Sequence, residues 1–329
     1  MQLELKNYEV LIDDMKGTIW DVSKIYTGMT LKSSRKGSAS SLKFTLVQNP
    51  LRQSKDFKIN NGNVVRVKVN GQGVFYGFIF SIEQTEDRTL SILAYDQMRY
   101  LMNKDTYVRA NVTATTVIKD NAELSGLRIG KLADTKHAIP KFSQDGQVRL
   151  DMIYSALEET VMATGRTYVL RDNFGSLELT DVEDAGIDLI LGDGSLVYQY
   201  THKREIDSDT YNRIKIVQDN KKTKKRDVYI AQDSASIARW GTLQYYAKVE
   251  EKLPKAKVQQ IVDTMIALKN REQRSFKLEA LGDFAVHAGV KLQFTLKDLD
   301  INQFFLVEEC THDVDGSEHT MSLELVIYG

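Results

Sequence analysis

The sequence predicts an α+β chain that is mainly β: two tandem β-barrel domains, a small α+β module inserted between them, and a helix inserted in the second barrel. Three observations carry this expectation. Segments that alternate apolar and polar residues recur near both ends, at the period of two of half-buried strands. Helical periodicity is confined to the middle of the chain and to one stretch of its C-terminal part. Four N-terminal segments have counterparts in the same order further on: Leu42–Asn49 with Asn212–Asp219, Gly62–Val69 with Gly289–Leu296, Phe75–Glu83 with Phe304–Glu309, and Thr89–Ile92 with Thr320–Leu323. A duplicated β-domain repeats a surface within one chain, which is what rings and tubes require.

Residues 1–102 read almost wholly as strand. Tyr8–Ile12, Ile19–Tyr26 and the later strands are broken by Asp13-Asp14, Asn60-Asn61-Gly62 and Glu86-Asp87, residues that favour turns. Asn70-Gly71 marks a tight hairpin, where positive φ is needed. Arg35–Ser41 is small and polar and reads as a loop. The α+β module covers 103–197. Thr113–Leu124 begins with residues able to cap a helix and stops near Gly126, and Gln147–Thr164 carries a stripe of Val148, Met152, Ile153, Ala156, Leu157 and Val161, with Gly165 as its C-terminal cap. Tyr168–Leu170 and Leu177–Leu179 flank a turn at Asp172–Gly175, a second hairpin. The second barrel is expected over 198–329, with helical insertion at about 233–272. There Asp233 caps a short helix ending at Trp240-Gly241. Pro254 opens a longer one whose Val258, Ile261, Val262, Met265 and Ile266 share a face. That face is core material, expected to lie across the open end or outer face of the barrel. The three prolines, Pro50, Pro140 and Pro254, act as punctuation.

Composition excludes several function classes. The 329 residues contain 42% apolar residues, enough for two or three cores. The 44 Lys and Arg nearly balance the 45 Asp and Glu, so no global field steers the chain to nucleic acid or anionic membrane. No apolar run approaches the roughly 20 residues of a membrane span, and Met1–Leu5 lacks the start of a signal peptide. The single cysteine, Cys310, is expected as a small buried apolar residue, and with no partner for a disulfide the chain reads as made in a reducing cytoplasm.

Catalytic signatures are absent from the sequence: no nucleophile elbow, zinc-protease helix, phosphate loop or dinucleotide fingerprint. No catalytic residue, cofactor or metal is expected. The best metal candidates, Glu308, Glu309, His312 and His319, surround a turn at Asp315-Gly316, where solvated polar residues collect, and no Cys or third His completes a tetrahedral site. One charge anomaly stands out. Lys221, Lys222, Lys224, Lys225 and Arg226 form the expected tip of a hairpin. They are either a solvated guard against edge pairing or a loop contacting an acidic partner or passing nucleic acid. Tyr198-Gln199-Tyr200 and Tyr245-Tyr246 suit an interface or simply strand propensity.

Gly77-Phe78-Ile79, followed after an acidic turn by Ala94-Tyr95-Asp96-Gln97-Met98-Arg99-Tyr100-Leu101, resembles a Gly-x-Ile … Ala-x-Asp-x-x-x-x-Leu signature of the late-control protein D hubs of contractile phage tails. With Tyr211–Ile216 and Trp240–Tyr245, the order of segments over essentially the whole chain is most similar to the XkdQ/YqbQ-like group of PBSX-type prophages. The resemblance implies a non-enzymatic baseplate hub, a virion structural protein made in the bacterial cytoplasm. Its two barrels would be tail-tube-like, and a homotrimer would present them as a pseudo-sixfold ring joining the tail tube to the central spike. The implied partners are the tail tube protein, the spike protein, the baseplate wedge and the tape-measure protein, with DNA only as cargo through the lumen. The inserted module would sit outside the ring or towards the spike. Because tube subunits lose strand edges to their neighbours, Leu42, Phe44, Leu46, Arg213, Ile214 and Ile216 are the candidate interface residues. The alternatives are a tail-associated cell-wall hydrolase, against which the chain's end at Tyr328-Gly329 leaves no room for a fused catalytic domain, an accessory binding module with an aromatic platform, and a type VI secretion hub.

Overall fold

Eleven strands run hydrogen-bonded edge to edge in a single open path, and two more attach to it, making a 13-stranded sheet. The computed structural model describes residues 6–48, 54, 56–220, 224–251 and 253–327. Pro50, Lys221 and Lys222 lie outside the described residues. The N-terminal part supplies β1 (Tyr8–Asp13), β2 (Ile19–Asp21), β3 (Tyr26–Ser34), β4 (Ser41–Val47), β5 (Val64–Val69), β6 (Gln72–Gln84) and β7 (Thr89–Tyr95). Alternation is strict in β4 and β7, each paired on both sides. Leu42, Phe44 and Leu46 of β4 point into one core with Ile12, Val65, Ile79 and Ile92, while Lys43 and Val47 face water.

The middle of the chain forms β8 (Lys104–Val112), α1 (Ala114–Leu124), β9 (Ile129–Leu132), β10 (Ile139–Val148), α2 (Arg149–Thr164), β11 (Tyr168–Asp172) and β12 (Leu177–Asp181). Both expected helices and the expected hairpin are present. Thr113 caps α1 by accepting from the Thr116 amide at 3.2 Å, and Gly165 closes α2 at φ 73°. The antiparallel pair β8–β10 is additional. Its interior face alternates weakly, so no period of two is visible there. The helices bury Val117, Ile118, Met152 and Ile153 against Tyr107, Phe142 and Leu179 in a separate core.

The remainder comprises β13 (Gly186–Gly192), β14 (Val197–Glu205), β15 (Arg213–Asn220), β16 (Lys225–Gln232), α3 (Ser234–Trp240), β17 (Gln244–Val249), α4 (Lys255–Lys269), β18 (Gln273–Leu281), β19 (Lys291–Leu296), β20 (Ile301–Asp315) and β21 (Glu318–Ile327). Here the repeat becomes explicit. The N-terminal order β3-β4-β7-β6-β5 is matched by β14-β18-β21-β20-β19. The irregularities match too. β6 slips register between Ile79 and Ser81 against β7, and β20 between Val307 and Glu309 against β21. At each slip a left-handed glycine donates to the bulged strand: Gly62 (φ 86°) to the Ile79 carbonyl at 2.7 Å, and Gly289 (φ 92°) to the Val307 carbonyl at 2.8 Å. A bulge that needs a positive-φ partner is a costly local feature, and it occurs twice.

Several expectations meet a different arrangement. Neither repeat closes as a barrel: the path ends at β14 and β2, and the halves fuse because β20, past its bulge, pairs with β3 from Glu309↔Ser34 to Val314↔Met29. Asn212–Asp219 is not the counterpart of Leu42–Asn49. It forms β15, the middle of a separate sheet ordered β16-β15-β17, and the true counterpart of β4 is β18. Between β14 and β18, over 206–272, the chain leaves the large sheet. Its α4 packs Val258, Val262 and Met265 on Ile214 and Ile216, with Met162 of α2 alongside, not across the repeat. β13, which precedes the boundary expected at 198, pairs in parallel with β19.

Candidate assembly site

The six residues expected at an interface lie on two strands that are each paired on both sides within the chain. β4 is paired on both sides, by β3 and β7, and Leu42, Phe44 and Leu46 are buried. β15 is likewise flanked by β16 and β17. Ile214 and Ile216 are buried, and Arg213 is half-buried with its Nε unpartnered among the described atoms. Alternating apolar residues report a buried face, and they do not report a free edge. Substituting Leu42, Phe44, Leu46, Ile214 or Ile216 therefore perturbs a core.

Free edges lie elsewhere. Among the described residues β14 pairs only with β18, and it presents Tyr198 and Tyr200 to solvent, 59% and 41% exposed. Among the described residues the distal part of β6, Ser81–Gln84, pairs only with β7, whereas the matching part of β20 is covered by β3. The covered junction is reinforced by side chains. Lys32 meets Glu309 at 3.2 Å, Arg35 meets Glu308 at 2.6 Å, and the Thr30 hydroxyl donates to Asp313 at 2.7 Å.

Behind that junction lies a buried relay the sequence reading missed. His312 and His319 were expected at a solvated turn, yet they are 3% and 8% exposed. β20 and β21 extend beyond them, and Phe284 stacks on His319 with ring centroids 4.1 Å apart. Lys6 Nζ lies 2.7 Å from His319 Nδ1, His319 Nε2 lies 3.0 Å from His312 Nδ1, and His312 Nε2 lies 2.8 Å from the Val286 carbonyl. The ammonium donates only and the carbonyl accepts only, so both rings must be neutral and Nε2-protonated. Burial holds His319 down at about 3, with Lys6 and His312 adding to the effect, and lowers His312 as well. Cys310 is buried beside them, as expected. Glu308 and Glu309 turn away to Arg35 and Lys32, and no metal-binding group forms among the described residues.

The signature segments have structural explanations. A Cβ on Gly77 would stand 2.4 Å from the Tyr95 carbonyl, and the bulge follows directly after Ile79. Ala94 and Leu101 are fully buried. Asp96 accepts from the Met98 and Ser40 amides, both at 2.9 Å, capping a 3-10 turn over Gln97–Met102 and pinning the loop before β4. Burial pushes its carboxyl up to about 7, with nearby Asp172 adding to the rise. Asp96, Asp172, His287 and His312 line a cavity of about 430 Å³. Asp172 already accepts from Gln97 and Gly175, both at 2.6 Å. His287 lies between Arg171 (3.1 Å) and the Ala288 carbonyl (2.9 Å). These polar groups are committed to holding backbone and neighbours in place.

β15 and β16 pair out to Asn220↔Lys225, which places Lys225 and Arg226 of the basic segment on β16. Arg226 and Lys248 both close on Asp219, at 2.7 and 2.5 Å, and their hydrogen bonds hold its carboxyl at about 2. Lys224 and Lys225 are exposed. Among the described residues no helix is long and apolar enough to cross a membrane.

Comparison with known proteins follows the same outline. A family profile described as YQBQ-like matches residues 29–326. The phage-like element PBSX protein XkdQ of Bacillus subtilis is 28% identical over 316 residues, 95% of each chain. Among solved structures, the 43 kDa tail protein of prophage MuSo2 from Shewanella oneidensis superposes with a TM-score of 0.72 at 12% identity, over 97% of this chain and 98% of that one. The Escherichia coli c3393 protein, a type VI secretion component described as similar to the T4 tail proteins gp27 and gp5, gives 0.60 at 8% identity, over 97% and 77%.

Proposed function

We propose, from the premise that this chain belongs to the YQBQ-like family, that it is a structural hub of a contractile phage-type tail baseplate. Three copies would form a ring of six sheet repeats joining the tail tube to the central spike. The observation that carries this reading is the tandem repeat, with the same strand order and the same bulges, whose halves share one sheet through β3 and β20. A chain that joins two copies of a unit head to tail, and leaves the corresponding edges open at its ends, is suited to closed cyclic assembly. The sixfold and threefold symmetries of tube and spike are then met by one polypeptide. The polar groups of the cavity hold the fold, which supports assembly rather than catalysis as its role. The wedge and tape-measure proteins are further partners in this reading, and DNA passes only as cargo.

Lys224 and Lys225 at the hairpin tip extend from the inserted sheet as a contact for an acidic partner. The likeness to c3393 fits the same hub logic in a secretion machine, and the identity of the spike separates the two. Light scattering on the purified chain, alone and mixed with the spike and tube proteins, tests the proposal. A species of three chain masses is expected in at least one mixture. A strict monomer in all of them refutes it and turns attention to cell-wall binding and digestion.

A further inference from the structure

The internal repeat specifies how a second copy would dock. Matching the two halves through their shared bulges and ladders places Ile79 on Val307, Ser81 on Glu309, and Glu83 on Thr311. The same matching through β4 and β18 places Thr30 on Thr201 and Lys32 on Lys203. Both of those residue types are retained, and β3 and β14 share a further register slip, at Tyr26/Gly28 and Val197/Gln199. Inside the chain, β3 covers the distal half of β20, with Lys32 opposite Thr311. Among the described residues the corresponding part of β6 is uncovered, and β14, the counterpart of β3, has one free side. One chain thus carries a completed junction and the two unjoined halves of another.

We propose that β14 of one copy pairs antiparallel with Ser81–Gln84 of β6 in a second copy, in the register of the internal β3–β20 junction. This deepens the hub reading and rests on it. The transferred register sets Glu205 opposite Ser81, Arg204 opposite Ile82, Lys203 opposite Glu83 and His202 opposite Gln84. The pair brought together is complementary in charge: β14 brings Lys203, and the β6 end brings Glu83 with Glu86 just beyond, while Arg204 stays paired with Glu272 of its own chain. Lys203 now closes on Glu205 of its own strand at 2.6 Å, an exposed pair of the kind that exchanges readily. His202 Nε2 is buried without a hydrogen-bond partner among the described atoms, and the docked strand would bring Gln84 beside it. Opposite Cβ atoms in an antiparallel pair lie about 4.5–5.5 Å apart, close enough for a disulfide with slight adjustment.

The test uses the full chain with Glu83→Cys and Lys203→Cys together, oxidised mildly alone and with the spike and tube proteins. Cross-linked dimer and trimer bands, lost on reduction and missing from either single variant, are expected. Buried Cys310 does not contribute. Glu83→Cys with Gln199→Cys, displaced about 13 Å along the strand, is expected to stay uncross-linked. Independently, Glu83→Lys or Lys203→Glu should raise the concentration needed for assembly several-fold, and the double exchange should restore it. A trimer by mass in which the 83/203 pair does not cross-link, or in which 83/199 links as well, overturns this pairing and leaves the hub reading standing. A chain monomeric in every mixture, with no cross-link, overturns both.

Discussion

Replacing His319 with Gln isolates the buried relay, because Gln still offers an acceptor to Lys6 and a donor to His312 but does not titrate near neutrality. In the folded chain the His319 ring is neutral down to about pH 3, whereas in the unfolded chain it titrates near ~6.5. The unfolded state therefore binds the proton first, so stability rises with pH through this window. The contribution of the neutral ring is complete above about pH 6.5 and is lost progressively as pH falls towards 3. At pH 5 about 1.5 decades separate ambient pH from the unfolded pKa, so the loss relative to pH 7 is about 2 kcal/mol. The ring is 8% exposed, so little solvent screening reduces that figure. Urea unfolding of wild type and His319→Gln at pH 7 and pH 5 reads it directly. The difference between the two proteins cancels the titrating groups that do not touch His319, and it should shift by about 2 kcal/mol in favour of the variant at pH 5. Parallel pH dependences would show that His319 is not held neutral, and the relay from Lys6 to Val286 would fall with it.

Asp96→Asn should act in the opposite sense. The folded carboxyl is pushed up to about 7, so wild-type stability falls as pH rises from 5 to 7, by about 2 kcal/mol from this group, and guanidinium unfolding of the variant should lack that slope. Leu42→Ala, at a fully buried position, should cost about 2–5 kcal/mol, read as a lower urea midpoint for the monomer. A normal midpoint combined with failed assembly would restore Leu42 as an interface residue. Gly77→Ala meets the Tyr95 carbonyl, and the shift required should cost about 1–3 kcal/mol, seen as a lower melting temperature. Lys224→Glu with Lys225→Glu should leave melting unchanged, within about 0.5 kcal/mol, while reducing incorporation into particles. Normal incorporation would refute the contact assigned to that tip.

By itself the sequence determined the mainly β character, both helices of the central module, the caps at Thr113, Gly165 and Asp233, and the existence of a repeat, with three of its four segments correctly matched. These are local facts: period, capping chemistry and turn residues act over a few neighbours. The fourth match failed because Asn212–Asp219 shares alternation and a Val-Gln pair with Leu42–Asn49, and every half-buried strand alternates. A stronger signal was present in Ser275-Phe276-Lys277-Leu278 against Ser41-Leu42-Lys43-Phe44, which keeps Ser and Lys in place between the apolar residues. Only the tertiary structure decided which edges are free, because an edge is defined by what is absent beside it, and residues far apart in the chain supply or withhold that neighbour. The same holds for His312 and His319. Two polar residues near a turn read as solvated until Lys6, more than three hundred residues earlier, and Phe284 close over them. Burial on that scale belongs to the folded chain as a whole, and it makes His319 a stability element and leaves β14 an open edge.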